Sequence, residues 1–222
     1  MIFGSGGLKW SIPILTFFFT SSFISNINSK GKRDKSNNKL IPRNHYQVIA
    51  NGGIAGFLAL VNIFYDDKII YYFFLASVCA VCSDTWSTEI GTLIKGNTYN
   101  ILNLKSVEPG FSGGISLPGT LGGIVGSGLI AFSGFFLEDF NLNIFVIIIA
   151  SGILGNLLDS ILGSLAQLKY TCSTCHKIIE TSIHCGTETK YYKGLRWMDN
   201  NVVNFFTSLS GVLFFIILKK IF

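Results

Sequence analysis

Three carboxylates stand where an acid is hard to explain by solvation alone. Asp84 and Glu89 lie in Ser83-Asp84-Thr85-Trp86-Ser87-Thr88-Glu89, and Asp159 lies in Gly155-Asn156-Leu157-Leu158-Asp159-Ser160-Ile161-Leu162-Gly163. An acid next to so apolar a run needs a partner or a cation. Three carboxylates with few local cations make a candidate Mg²⁺ site, because Mg²⁺ takes one or two carboxylates, water and the phosphate oxygens of a substrate. The neighbouring amides and hydroxyls, taken singly, are explained as caps or interfacial side chains.

A Gly-rich connection, Glu108-Pro109-Gly110-Phe111-Ser112-Gly113-Gly114-Ile115-Ser116-Leu117-Pro118-Gly119-Thr120, leads into an apolar run. Backbone N–H groups of such a loop, followed by a helix N-terminus, can hold an anion. No Gly-Lys-Ser/Thr follows, so the stretch is not a Walker A loop. Phosphate contact and close packing remain equal readings for Ser112 to Thr120. Packing is the preferred one for Gly122 to Gly128, where small residues recur every four positions.

The polar stretch near the C-terminus reads Cys172-Ser173-Thr174-Cys175-His176, then His184-Cys185. These are the ligand types of a closed tetrahedral zinc site, with Cys172, Cys175, Cys185 and either His184 or His176. Free reduced thiols are the alternative. With Cys79 and Cys82 inside an apolar run, an odd count of five does not form a disulfide framework.

The elements that must position these groups are membrane helices. Of 222 residues, 49% are hydrophobic and only 13% charged, and the mean hydropathy is +0.50. A soluble domain carries about a quarter of its residues charged. Six apolar stretches, Leu8–Ile24, Tyr46–Tyr65, Ile69–Cys82, Gly119–Leu137, Ile144–Gln167 and Val202–Leu218, approach the roughly 20 residues that span a bilayer. The expected fold is all-α, one polytopic bundle of about six helices over 1–222, with polar connections near 25–45, 83–118 and 168–201.

Those three connections hold six, two and five Lys or Arg, thirteen in all, against four (Lys9, Lys68, Lys219, Lys220) on the other side. The bias puts the three connections in the cytoplasm and both termini outside, as in the inner membrane of a bacterium. It also argues against a secretory signal peptide, since only Lys9 precedes the first stretch. The net charge of +5 forms no single basic stripe, which excludes nucleic acid as the expected partner. Membrane lipid is the partner that remains.

With that orientation, Arg43, Asn44, Gln47 and Asn51 open the second helix, Asp84, Thr85 and Glu89 close the third, Asp159, Ser160 and Gln167 close the fifth, and Asn200, Asn201 and Asn204 open the sixth. Four helix ends therefore deliver carboxylates, amides and an arginine to one level.

The blocks Arg43-Asn44-His45-Tyr46-Gln47-Val48, Ser83-Asp84-Thr85-Trp86, Gly113-Gly114-Ile115-Ser116 with Gly119-Thr120, Asp159-Ser160-Ile161-Leu162-Gly163 and Asn200-Asn201-Val202-Val203-Asn204 resemble the integral membrane family called domain of unknown function 92. That family includes transmembrane protein 19 and the plant chloroplast phytyl-phosphate kinase of vitamin E synthesis. Its members extend further at the N-terminus, so the resemblance implies that this chain is N-terminally short, with one or more of the family's leading helices absent from it. It further implies a transferase of isoprenoid metabolism that moves a phosphoryl group from ATP or CTP to a prenyl monophosphate. Under that reading Asp84, Glu89 and Asp159 hold Mg²⁺, and Arg43 with the Ser112–Thr120 backbone, Gly113 and Gly114 included, takes phosphate oxygens. Asn44, Gln47, Asn51, Thr85, Ser160 and Asn204 orient substrate. The rival expectations are a transporter of a small ion or lipid, whose sites lie more often at the midplane between repeats, and a non-catalytic membrane protein.

Overall fold

The structure, a computed structural model, describes residues 2–32, 45–65, 67–94, 96–138 and 141–222. Among these, six helices are long and apolar enough to cross a membrane, each through 19 to 26 residues. They are α1 (Ile2–Lys32, broken at Gly7), α2 (His45–Phe64), α3 (Lys68–Leu93), α4 (Leu117–Phe135), α5 (Leu142–Leu165) and α6 (Asn200–Ile221). Polar residues start the helices. Asp67 Oδ1 accepts from Ile69 N, Asn141 Oδ1 from Ile144 N and Asp199 Oδ1 from Val202 N, so one orphan N–H in each of these first turns has a side-chain partner.

Two boundaries differ from expectation. The third helix continues past the apolar stretch that ends at Cys82, through Glu89, to Leu93, and within that extension Asp84 meets Asp159 while Glu89 accepts from Ser25 and Asn28. The connection expected at 83–118 therefore starts only after Leu93. The first helix likewise runs on to Lys32, so part of the expected 25–45 connection is helical.

Helix α3 is the mast of the bundle, packed by all five other helices. Small residues let its neighbours approach. A Cβ on Gly152 of α5 would lie 2.7 Å from Cys79 Cβ, one on Gly155 2.7 Å from Ala80 Cβ, and one on Gly211 of α6 2.4 Å from the Ala76 carbonyl oxygen. On α4, Gly122, Gly123 and Gly126 meet Ile90, Ser83 and Trp86 in the same way, which is the packing role expected of them. Gly128 departs from that expectation: it faces open space.

The far end of the bundle, where α1 begins and α3 starts, is closed by aromatic and ionic contacts. Trp10 packs on Tyr71 and Phe74, and Tyr71 Oη donates to the Lys9 carbonyl. Glu138, just after α4, pairs with Lys9 and with Lys68 at 3.0 Å.

At the opposite end the connections carry short strands: β1 (Tyr99–Asn100), β2 (Gly114–Ile115), β3 (Lys169–Thr171), β4 (Ile178–Ile179), β5 (Ile183–His184), β6 (Thr187–Glu188) and β7 (Lys190–Lys193). β1 pairs with β2, β3 lies between β4 and β7, and β5 pairs with β6, all antiparallel.

Candidate functional site

Helices α3 and α5 run in the same direction, and their contact register decides which acids meet. Gly152 touches Cys79 and Gly155 touches Ala80. One turn further along both helices are Asp159 and Asp84, whose carboxyl groups lie side by side and interact directly. Thr207 Oγ1 of α6 donates to Asp159 Oδ1 at 2.7 Å and so fixes one of the pair. Two anions in contact repel strongly, and a divalent cation between them removes that repulsion.

The pair opens into a cavity of about 290 Å³. Gln47 and Asn51 of α2, Thr85, Thr88 and Glu89 of α3, Asn156 and Ser160 of α5, and Asn200 and Asn204 of α6 line it, together with Gly110 to Gly114 and Glu180. Four acids and no described lysine or arginine face it, a wall that favours a cation. Every donor around the Asp pair is a carboxylate, amide or hydroxyl oxygen or nitrogen, with no thiol, which fits Mg²⁺.

Glu89 shares the cavity, but its carboxylate is held from α1: Asn28 Nδ2 donates to Oε2 at 2.6 Å, and Ser25 donates to Oε1. Arg43 and Asn44 lie outside the described residues. Thr120 does not reach the cavity. It is exposed in a separate pocket with Gly96, Tyr99 and Leu117, because the β1–β2 pairing carries the chain away after Gly114. The α4 N-terminus goes with it, and Ser116 Oγ there accepts from Gly119 N. The anion cradle expected over Ser112 to Thr120 thus shrinks to the loop's own turn. Within that turn the N–H groups of Phe111 and Gly114 already donate to Glu108 and Phe111 carbonyls.

The loop is pinned from below and above. Gly113, at φ 83°, sits so close to α5 that a Cβ would lie 2.4 Å from Ser164 Cβ. Lys169 Nζ donates to the Ser112 carbonyl at 2.9 Å and stacks 4.0 Å over Phe111. Burial, with Lys193 nearby, lowers its amine to about 8, against the opposing pull of Glu180.

A second cavity, about 270 Å³, is walled by Ile14, Phe17 and Phe18 of α1, Val48 and Ala55 of α2, and Val78 and Val81 of α3. It shares Gln47 and Asn51 with the polar cavity, so an apolar slot and an acidic pocket meet across two amides.

The family described as integral membrane protein DUF92 matches residues 1–212. The chain belongs to this family. Relatives of this DUF92 member include an uncharacterised membrane protein of Methanocaldococcus jannaschii, 34% identical over 73% of the chain and 67% of that protein. Protein PGR of Arabidopsis thaliana is 30% identical over 92% of the chain and 80% of its own length. Chloroplastic protein VTE6 of the same plant is 26% identical over 86% of the chain and 51% of itself. No solved structure matches the DUF92 chain significantly.

Sequence reasoning missed Glu180, Asn156, Ser25 and Asn28. Asn156 was findable, one turn before Asp159 on the same face. Glu180 sits in a polar connection whose path no local pattern reveals. Of the thiols, Cys172, Cys175 and Cys185 come together with His184, their donor atoms all within 4.8 Å, while His176 is not in the cluster. Bonds from the backbone of the Cys175 turn and from His184 pull the Cys172 thiol down to about 6, and local desolvation, with the neighbouring Cys175 and Cys172 sulfurs, pushes Cys185 up to about 11.

Proposed function

We propose that this membrane protein transfers a phosphoryl group from a nucleotide to a prenyl monophosphate, at the face where the polar cavity opens. The observation that carries the reading is the junction of two cavities: an acidic pocket built on Asp84 and Asp159, and an apolar slot that meets it across Gln47 and Asn51. A prenyl phosphate has the same division, an anionic head and a hydrocarbon tail. The family resemblance supports the same chemistry, and the excess of Lys and Arg in the connections at this face favours the cytoplasm, where nucleotides are abundant.

In this reading Asp84 and Asp159 would hold Mg²⁺, which would supply neutralisation of the phosphate charge. Thr207 keeps Asp159 turned toward its partner. Gln47, Asn51 and Asn204 donate to the acceptor phosphate, and the Ser112–Gly114 turn closes over it. An oxygen of the prenyl phosphate attacks the terminal phosphorus of the nucleotide. The bond to the leaving nucleoside diphosphate breaks, and a prenyl diphosphate forms. A phosphate nucleophile is already anionic, so no general base is required. Catalysis of this kind is positioning and charge neutralisation.

The test is direct. Purified protein in lipid, given Mg²⁺, labelled ATP or CTP and phytyl or geranylgeranyl monophosphate, is expected to yield labelled diphosphate. Asp84→Asn is expected to reduce the rate by about 10³-fold, the scale of losing a principal charge-stabilising group. No product from the wild type with either nucleotide, together with ion flux through the same protein in liposomes, overturns the kinase reading in favour of a transporter.

A further inference from the structure

We propose that Cys172, Cys175, His184 and Cys185 bind one structural Zn²⁺, and that this ion holds together the two hairpins that roof the polar cavity. The inference rests on the loop alone and stands whatever the cavity binds.

Two tight turns supply the ligands. The first joins β3 to β4: Cys172 N donates to the Lys177 carbonyl, His176 N donates to the Cys172 carbonyl, and His176 takes φ 57° to close the turn. This brings Cys172 and Cys175 to one side. The second joins β5 to β6, where Cys185 and Gly186 both adopt positive φ, 51° and 74°, and it presents His184 and Cys185. Across the gap, His184 Nδ1 is 3.4 Å from Cys175 Sγ and 3.2 Å from Cys185 Sγ. Tetrahedral zinc with bonds of about 2.1 to 2.3 Å has ligand–ligand edges of about 3.5 to 3.8 Å. The cluster therefore needs only a small adjustment to enclose an ion. Thr174 N donates to Cys172 Sγ at 3.4 Å, a bond that stabilises a metal-bound thiolate. Three sulfurs and one imidazole nitrogen are ligands for a soft or borderline ion and not for Mg²⁺. All four positions are filled by protein, so the site holds structure and activates no water.

These hairpins have almost no core of their own. β4, β5 and β6 are two residues each, and Ile183, Ile178 and Tyr191 are exposed. A segment this thin gains much of its stability from a bound metal. Its other attachments lead to the cavity: Lys177 Nζ donates to Glu108 Oε1 at 2.9 Å, and Ser112 Oγ donates to Glu180, which lines the pocket between the two hairpins. The ion thereby fixes the position of Glu180 and of the Gly110–Gly114 turn.

Elemental analysis of the full chain purified without chelator is expected to find about one zinc per chain. Cobalt exchanged into the wild type should show thiolate-to-metal charge-transfer bands and tetrahedral ligand-field bands, a readout that needs no variant. Cys172→Ser and Cys185→Ser should lose the metal, whereas His176→Ala should keep it. Removing the zinc with a chelator should expose the bonds after Lys177 and Lys190 to trypsin while the six helices stay folded by circular dichroism. Wild-type protein that contains no zinc and takes up no cobalt, or a disulfide between two of these thiols in its place, overturns the proposal. So does zinc retained by Cys172→Ser, or trypsin resistance unchanged by chelation.

Discussion

Asp159 is the residue through which three helices communicate. It leaves α5, meets Asp84 of α3 and accepts from Thr207 of α6. Replacing Thr207 by Val keeps the shape and removes the donor, so the carboxylate loses its orientation. Mg²⁺ affinity, measured by titration of the nucleotide-bound protein, is expected to fall 10- to 100-fold, the usual effect of losing such a support, with little change in melting temperature. The two aspartates were legible from sequence because a charge in an apolar run has few bland explanations. Glu180, Ser25 and Asn28 carried no such signal, since polar residues in polar connections are ordinary.

Between elements, the site depends on how closely α5 rides on α3. Gly155 sets that distance, since its absent Cβ would already stand 2.7 Å from Ala80. Gly155→Val is expected to lower stability by about 1–3 kcal/mol, the scale of overpacking, seen as a lower melting temperature in detergent. The same variant should lose phosphoryl transfer, because the aspartates one turn away separate. At the other end, the bond from Lys9 holds Glu138 below the ordinary glutamate range, with Lys68 adding to it. A carboxylate with a depressed native pKa stabilises the fold above its unfolded pKa, and that contribution is lost as the pH falls through the native value. Glu138→Gln is therefore expected to melt earlier than wild type at neutral pH, by about 1 kcal/mol or less. The two curves should converge in acid below the glutamate range. Helix existence was readable from apolar length, but the end of α3 was not: Ser83 to Glu89 look like a polar boundary until Asn28 and Ser25 hold Glu89 and Asp159 meets Asp84.

The whole molecule has two unlike ends, an aromatic and ionic seal near Trp10 and an acidic pocket roofed by hairpins. Among the described residues, the basic side chains of the connections after α3 and α5 lie at the pocket end, and the charge bias makes the cytoplasm the expected side of that end. Trypsin added to inverted membrane vesicles should cut after Arg196, which is exposed and lies beyond the hairpins, and right-side-out vesicles should protect it. Cleavage with the opposite preference reverses the orientation. Membrane class and the number of spans were legible in the residues alone, because apolar length is a local property that needs no knowledge of neighbours. It also singled out Asp84, Asp159 and the Cys/His cluster, since such groups are conspicuous by type. Folding in three dimensions was needed to learn that the aspartates touch, that Thr120 is turned away, that His184 joins the thiols and that an apolar slot opens beside Gln47 and Asn51. Each of these follows from close contact between residues far apart in the chain, where glycines and loop paths set separations that spacing along one helix does not encode.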